Sequence, residues 1–438
     1  MIDVQEKPRM VERAFLLSAH LKGDAPELAA DLLLELRELV STLGIGIVGE
    51  AVVEVREWHA KLLLGSGKAE ELRDRMRELN ADCVVFDNML SPAQQRNWEA
   101  FSGCTTIDRQ EVILDIFGSR ARTKEAKLQV ELARMEYNLP RLKKAWSHLG
   151  RQSGGGGGGA AQRGEGEQQI ELDRRMVRDR ITALKRELKE VRANRANQRK
   201  ERNRVPLPHA AIVGYTNAGK SSLLRALSGS RVYVANKLFA TLDTTTRRID
   251  LPNGRPLLVT DTVGFVRNLP HGLVDAFKAT LEEAVLADFL IHVLDVTAIQ
   301  VEEFYQTTLK VLHELGADQK QMITVFNKID LMEDTTRKVA LLRHHPDAVF
   351  LSTHSREGLD GLFERLSDQL ADQVTHVRLC LPHQRGDLVA LLHEQAKVHA
   401  CAYEEDAVYL EATVPNRLAA LLAEWTELSP SKSVTCAG

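Results

Sequence analysis

Gly214-Tyr215-Thr216-Asn217-Ala218-Gly219-Lys220-Ser221 stands directly after the apolar run Ala210-Ala211-Ile212-Val213 and directly before Ser222-Leu223-Leu224-Arg225-Ala226-Leu227. It satisfies G-x-x-x-x-G-K-[ST] in the strand–loop–helix setting that a phosphate-binding loop requires. The glycines let the backbone wrap closely, so that successive N–H groups point at phosphates. Lys220 brings a positive charge to the β and γ oxygens, and Ser221 offers its hydroxyl to Mg²⁺. The segment therefore predicts a doubly wound α/β nucleotide-binding domain around it.

Residues further along the chain address the base and the switch segments. Asp261-Thr262-Val263-Gly264 closes the run Pro256-Leu257-Leu258-Val259-Thr260, where a carboxylate can hold a Mg²⁺ water and a glycine amide can reach the γ-phosphate. Asn327-Lys328-Ile329-Asp330 follows Met322-Ile323-Thr324-Val325-Phe326, and the Asp330 carboxylate can accept two hydrogens from the guanine N1 and N2 edge, which adenine lacks. Ser352, followed by Thr353, is placed for the loop that backs the guanine carbonyl. In Phe239-Ala240-Thr241-Leu242-Asp243, Thr241 is the candidate that reports the γ-phosphate through Mg²⁺, with Thr244, Thr245 and Thr246 as competitors. The GTP-binding set thus comprises Gly214 through Ser222, Phe239, Thr241, Asp261 through Gly264, Asn327, Lys328, Asp330, Ser352 and Thr353. Lys220 and Gly264 are the catalytic candidates, and Ser221, Thr241 and Asp261 (through water) the Mg²⁺ ligands. Asn217 is either a ligand for K⁺ or a turn residue. Phe265 follows the glycine where many regulatory GTPases carry a water-positioning glutamine. Phenylalanine cannot polarise water, so intrinsic hydrolysis is expected to be slow and dependent on a partner or cation.

Outward from this core, 438 residues with 44% apolar content suggest about three folding units. Residues 1–120 alternate strands and helices, an α/β layered domain: Arg13–His20, a helix from Pro26, Ile45–Arg56, a helix from Lys68, Cys83–Asp87, a helix opening at Ser91-Pro92, Thr105–Asp108 and a short helix around Val112–Phe117. Residues 205–372 are read as the GTPase domain. Residues 373–438 form a small C-terminal α/β appendage with a helix from about 386 to 400. No apolar run reaches membrane-spanning length, and the acids in Met1-Ile2-Asp3-Val4-Gln5-Glu6 oppose a signal peptide, so a cytoplasmic monomer is expected. Five widely spaced cysteines without a C-x-x-C pair argue against disulfides or zinc.

Residues 121–204 differ in period and charge. Leu128, Leu132, Met135, Leu139, Leu142, Trp146 and Leu149 make one apolar stripe, kinked at Pro140, and Val177, Ile181, Leu184, Leu188 and Val191 make a second. They predict a long antiparallel helical hairpin whose tip, the six glycines Gly154–Gly159 followed by Ala160-Ala161-Gln162-Arg163-Gly164, is mobile until a partner orders it. Residues 120–204 hold 23 Lys and Arg against 11 Asp and Glu, a net +12 that leaves −15 on the rest of a chain of net charge −3. A basic segment between acidic domains is the footprint of a nucleic-acid contact, or else a solvated helical face.

Several of these residues together resemble the HflX family, ribosome-associated GTPases of the translation-factor class. They are Phe239–Asp243, Asp261–His271, Ala276–Glu283, Arg120–Ala133 and Arg163–Arg175. The resemblance implies binding to the large ribosomal subunit and its RNA, with the glycine-rich tip reaching toward the peptidyl-transferase region. It also implies ribosome-stimulated hydrolysis, splitting or rescue of stalled ribosomes in the GTP form, and release on hydrolysis. Asn217 matches an asparagine linked in related GTPases to potassium dependence, and Glu165 stands where the family's tip has proline. Two other readings remain open: a GTP-regulated RNA-binding or ribosome-assembly factor without splitting activity, and a signalling switch that docks a protein through its N-terminal domain.

Overall fold

In the computed structural model, the described residues are 11–24, 26–142, 161–202, 207–229, 239, 244–267, 283–332, 335–371, 374–404, 407–415, 418–419 and 422–426. The N-terminal unit is built from β1 (Arg13–Leu21), α1 (Pro26–Thr42), β2 (Gly46–Val55), α2 (Ser66–Glu78), β3 (Cys83–Phe86), α3 (Pro92–Ser102), β4 (Thr105–Asp108) and α4 (Arg109–Arg120). Its four strands pair in the order β2-β1-β3-β4, all parallel. A parallel sheet covered on both faces needs continuous apolar runs, and Cys83-Val84-Val85-Phe86 is buried throughout. Alternate residues serve different cores: Phe15, Leu17, Val84 and Phe86 face the cluster with Trp98, whereas Ala14, Leu16, Cys83 and Val85 face α1 and α4. Ser91 opens α3 with a reciprocal capping box to Gln94, a device that contributes about 1 kcal/mol.

Next come α5 (Lys124–Asn138) and α6 (Ala161–Arg202). Leu128 and Leu132 pack with Ile181, Leu184 and Leu188, flanked by Met135, Leu139, Val177 and Val191. The ion pairs Glu131–Arg180 (2.7 Å) and Glu136–Lys185 (2.8 Å) lie beside this seam. Two expectations change. Pro140 does not kink a continuing α-helix: α5 stops at Asn138 and residues 139–142 form a tighter turn, because proline has no N–H to give and its ring crowds the preceding turn. After the glycines the chain is helical from Ala161, through Gly164 and Gly166, well before the stripe resumes at Val177. Trp146, Leu149 and Gly154–Gly159 lie outside the described residues.

The third unit contains β5 (His209–Gly214), α7 (Lys220–Ser228), β6 (Thr245–Asp250), β7 (Pro256–Asp261), β8 (Phe289–Asp295), α8 (Val301–Glu314), β9 (Met322–Asn327), α9 (Thr335–His344), β10 (Val349–Phe350) and α10 (Leu359–Ala371). The sheet order is β10-β9-β8-β5-β7-β6, parallel except for β6, which runs antiparallel to β7. The sequence pattern does not predict strand β6. Thr245-Thr246-Arg247-Arg248-Ile249-Asp250 carries only one buried apolar residue, Ile249, because it is an edge strand with little to bury. One apolar cluster runs without a break from α1 and α4 through Ala211, Val213, Tyr215 and Phe265. The N-terminal unit is therefore seated directly on one face of this sheet.

The C-terminal unit has β11 (Val374–Leu381), α11 (Gly386–Gln395), β12 (Lys397–Tyr403) and β13 (Val408–Pro415), in an antiparallel sheet ordered β11-β13-β12 with its own core. The helix expected to reach residue 400 ends at Gln395, and Lys397–Tyr403 is a strand. The β-branched Val398 and the aromatic Tyr403 fit a pleated edge better than a helix. Among the described residues, no helix is long and apolar enough to cross a membrane.

Candidate functional site

The loop between β5 and α7 forms where Gly214 leaves the sheet and Lys220 begins the helix. Gly219 sits at φ +95°, and a Cβ there would lie 2.1 Å from Asn327 Nδ2. No other residue type fits both the backbone and the space. Asn217 at the loop tip is exposed with φ +62°, a conformation that asparagine tolerates better than most residues. The backbone thus supplies a reason for this asparagine that needs no cation.

Lys220 is buried, and its Nζ donates to the Tyr215 carbonyl at 2.7 Å. Ser221 Oγ donates to Asp261 Oδ2 at 2.6 Å, joining the end of the loop to the end of β7. A Cβ on Gly264 would meet Lys220 Nζ at 2.7 Å and Thr216 Cα at 2.8 Å, so the Asp261–Gly264 turn lies flat against the loop. Main-chain bonds hold the two together: Thr216 N donates to Phe265 O (2.8 Å), and Phe265 N donates to Gly214 O (3.1 Å). Thr262 Oγ1 donates to Ile212 O at 2.6 Å, fixing the turn to β5. Phe265 is 2% exposed, in the core beneath the loop, and does not face the site.

Asn327 Nδ2 donates to Ala218 O (2.9 Å), and its Oδ1 accepts from Thr353 N (3.0 Å). This side chain therefore ties the phosphate loop to the Ser352-Thr353 loop. Ser352 Oγ accepts from the amides of His354 and Ser355 (3.1 and 3.0 Å) and shapes that loop. Lys328, at φ +68°, reaches Asp295 Oδ2 at 2.7 Å, and Asp330 stands exposed in the short turn Ile329–Leu331. Of the other expected residues, Val263 and Ala218 are buried in the apolar clusters and Ser222 is in the first turn of α7. Phe239 has its ring buried edge-on to Phe117 of α4, 4.5 Å between centroids, so its side chain serves the contact between units. Thr241 lies outside the described residues. Of its competitors, Thr244 immediately precedes β6, and Thr245 and Thr246 are in it, where Thr246 Oγ1 is 2.8 Å from Thr260 Oγ1.

Burial lowers the Lys220 ammonium to about 8, and Asp261 pulls it back up. Because the folded value lies below the ordinary 10.5, the unfolded chain binds more protons between those limits, and stability from this group rises with pH across pH 8–10.5. Nucleotide-free protein is expected to gain on the order of 3 kcal/mol from this group over that window. A pH series of denaturant melts on the wild type and Lys220→Met checks it; equal slopes in the two would refute the assignment.

A set of residues that no motif announces surrounds Tyr215. Its hydroxyl donates to Glu35 Oε1 of α1 at 2.8 Å and accepts from Arg267 N at 2.7 Å. Arg109 pairs with Glu35 and with Asp87, each at 2.6 Å. Burial raises both carboxyls above their usual range, and Arg109 opposes this. Tyr215 belongs to the expected GTP-binding set by position in the loop, but its side chain faces the N-terminal unit.

Residues 30–118 match the family model described as GTP-binding GTPase N-terminal, residues 120–202 the GTP-binding GTPase Middle Region, and residues 209–328 the 50S ribosome-binding GTPase. A "GTPase HflX" of Akkermansia muciniphila is 52% identical over 436 residues, spanning 97% of this chain and 100% of that protein. The "GTPase HflX" of Escherichia coli K12 is 40% identical, spanning 90% and 91%. Among solved structures, the SsGBP and GDP complex aligns with TM-score 0.48 and 24% identity, covering 83% of this chain and 99% of that one.

Proposed function

This chain belongs to the HflX family of GTPases and hydrolyses GTP, and from that premise we propose that in its GTP form it binds the large ribosomal subunit and its RNA, splits or rescues stalled ribosomes, and is released by hydrolysis. The observation that carries the GTP half is the convergence of Lys220, Ser221 and Asp261, with Gly264 packed on Lys220 Nζ. For the ribosomal half, support comes from the net +12 of residues 120–204 and the matched 50S ribosome-binding model. The working units are those read from the sequence: residues 1–120, 121–204, 205–372 and 373–438.

On this reading the amides of Gly214 to Ser222 bind the phosphates and Lys220 neutralises charge that develops on the β–γ bridge. Asp330 accepts from the guanine edge while Asn327, Ser352 and Thr353 hold the base loop in place. The Gly264 amide meets the γ-phosphate, and loss of that group on hydrolysis frees the switch segments. A hydroxyl and a carboxylate 2.6 Å apart beside a buried ammonium are a donor set that fits Mg²⁺, with Ser221 direct, Asp261 through water and Thr241 as the further ligand. An ion held by these residues would supply Lewis-acid stabilisation of the negative charge on the phosphate oxygens. With Phe265 buried, no side chain of the described site acts as base, so positioning and an external partner complete catalysis.

The test is GTP hydrolysis by the purified chain, alone and with ribosomes or large subunits, alongside sedimentation of intact ribosomes with a non-hydrolysable GTP analogue. Strong stimulation, on the order of tenfold or more by analogy with partner-completed GTPases, together with free subunits is the expected result. Stimulation without subunit release would favour the RNA-binding or assembly reading, and no stimulation would sink the ribosomal half. Exchanging K⁺ for Na⁺ in the same assay reads the role of Asn217. A potassium requirement lost in Asn217→Gly, which keeps the φ, assigns a cation ligand; indifference assigns the turn.

A further inference from the structure

Phosphate chemistry asks nothing of the second position of G-x-x-x-x-G-K-S, so a large aromatic residue there needs another explanation. Tyr215 contributes twice. Its main chain is part of the catalytic loop, with the carbonyl accepting from Lys220 Nζ at 2.7 Å. Its side chain leaves the loop, stacks on Phe304 of α8 (4.0 Å between centroids, 12° between planes) and ends in a hydroxyl with two partners from different parts of the chain. One is Glu35, more than 170 residues earlier in sequence, on the N-terminal unit; the other is the amide of Arg267, three residues beyond Gly264.

Both partners are held from behind. Glu35 is 12% exposed at its side chain and pairs with Arg109, which is 2% exposed and pairs in turn with Asp87 at 3%. The Arg267 guanidinium lies 5.1 Å from the Phe304 ring and reaches Gln300 (3.1 Å) and Glu303. A phenol between a fixed carboxylate and a switch-segment amide fixes a distance between them, and charge-assisted bonds of this kind are among the stronger ones in a protein.

We infer that Tyr215 is a positioning residue for GTP hydrolysis, through which Glu35 of the N-terminal unit holds the phosphate loop and the segment following Gly264 in register. The inference rests on the GTPase activity and is independent of ribosome splitting. Its thermodynamic corollary is reciprocal: if seating the N-terminal unit favours the GTP-bound arrangement, GTP favours the seated unit by the same factor.

The experiment uses the full chain as wild type, Tyr215→Phe, Glu35→Gln, the double variant, and Glu50→Gln as a control in the exposed Arg37–Glu50 pair of the same unit. Tyr215→Phe keeps the stacked ring and the carbonyl and removes only the hydroxyl. Single-turnover hydrolysis is expected to slow roughly 5- to 30-fold in Tyr215→Phe, the range for a lost buried hydrogen bond. GDP affinity should stay within about twofold, inside the few tenths of a kcal/mol expected for sites that do not couple. Glu35→Gln should move the same way, the double variant should be no slower than the slower single one, and exchange of the Arg267 amide should accelerate in Tyr215→Phe. Glu50→Gln should match the wild type.

Wild-type turnover in Tyr215→Phe, even with a lowered melting temperature, would overturn the inference, since that is what interface glue alone predicts. So would multiplicative losses in the double variant, because independent residues add in free energy. If Glu35→Gln does not fold, Glu35→Asp, which keeps the charge and shortens the reach, takes its place in the same cycle.

Discussion

Asp330→Asn is expected to weaken GTP binding by roughly 10³-fold or more, because a site built to pair with N–H groups rejects a partner that leaves them unpaired. The carboxylate accepts from guanine N1–H and the N2 amino group; an asparagine amide sets its own N–H₂ against one of those donors. Asp330 is exposed in a short turn, so its replacement leaves the core untouched and the melting temperature of the nucleotide-free protein should barely move. The sharper readout is a switch in preference. Xanthine carries an oxygen where guanine has the amino group, so the asparagine N–H₂ gains an acceptor, and xanthosine triphosphate should bind the variant better than GTP does. Fluorescence titration with both nucleotides decides it, and a GTP affinity within threefold of wild type would remove Asp330 from the base site.

Gly219→Ala should be nearly as damaging by a different route. The added methyl would stand 2.1 Å from Asn327 Nδ2 at a backbone φ of +95°. Either the loop opens or Asn327 withdraws from Ala218 O and Thr353 N. The backbone strain alone costs about 1–3 kcal/mol. The larger effect is expected in nucleotide affinity, a loss of at least about 100-fold, since phosphate recognition by main-chain amides depends on the loop's curvature. Calorimetric titration with GDP against a thermal melt separates the two effects. A variant that melts early but binds GDP normally would show that the loop tolerates the methyl.

Local signals carried much of this molecule. The strands and helices of the N-terminal unit, the loop at Gly214–Ser221 and the turns at Asp261 and Asn327 lie where periodicity and motif spacing put them, because each is specified within about a dozen neighbouring residues. Where burial pattern was weak, legibility failed: β6 buries one apolar side chain, and β12 follows a helix without a proline or glycine to mark the break. The Tyr215–Glu35–Arg109–Asp87 set was illegible for another reason. Its members are scattered from residue 35 to 215, and nothing in one sequence says which surface of one unit meets which surface of another. Asn327 shows the same limit within a motif, since its residue type signals the base site while its two hydrogen bonds serve the loops around it.

Helix α6 has 42 residues, about 63 Å at 1.5 Å per residue, and it ends at Arg202, shortly before β5 starts the nucleotide-binding sheet at His209. Mechanically it is a rigid lever with its fulcrum near the engine. A tilt of one degree at the Arg202 end carries the Ala161 end through about 1 Å, so a rotation of a few degrees around a phosphate, too small to alter the fold, becomes a displacement of several ångströms at the opposite end.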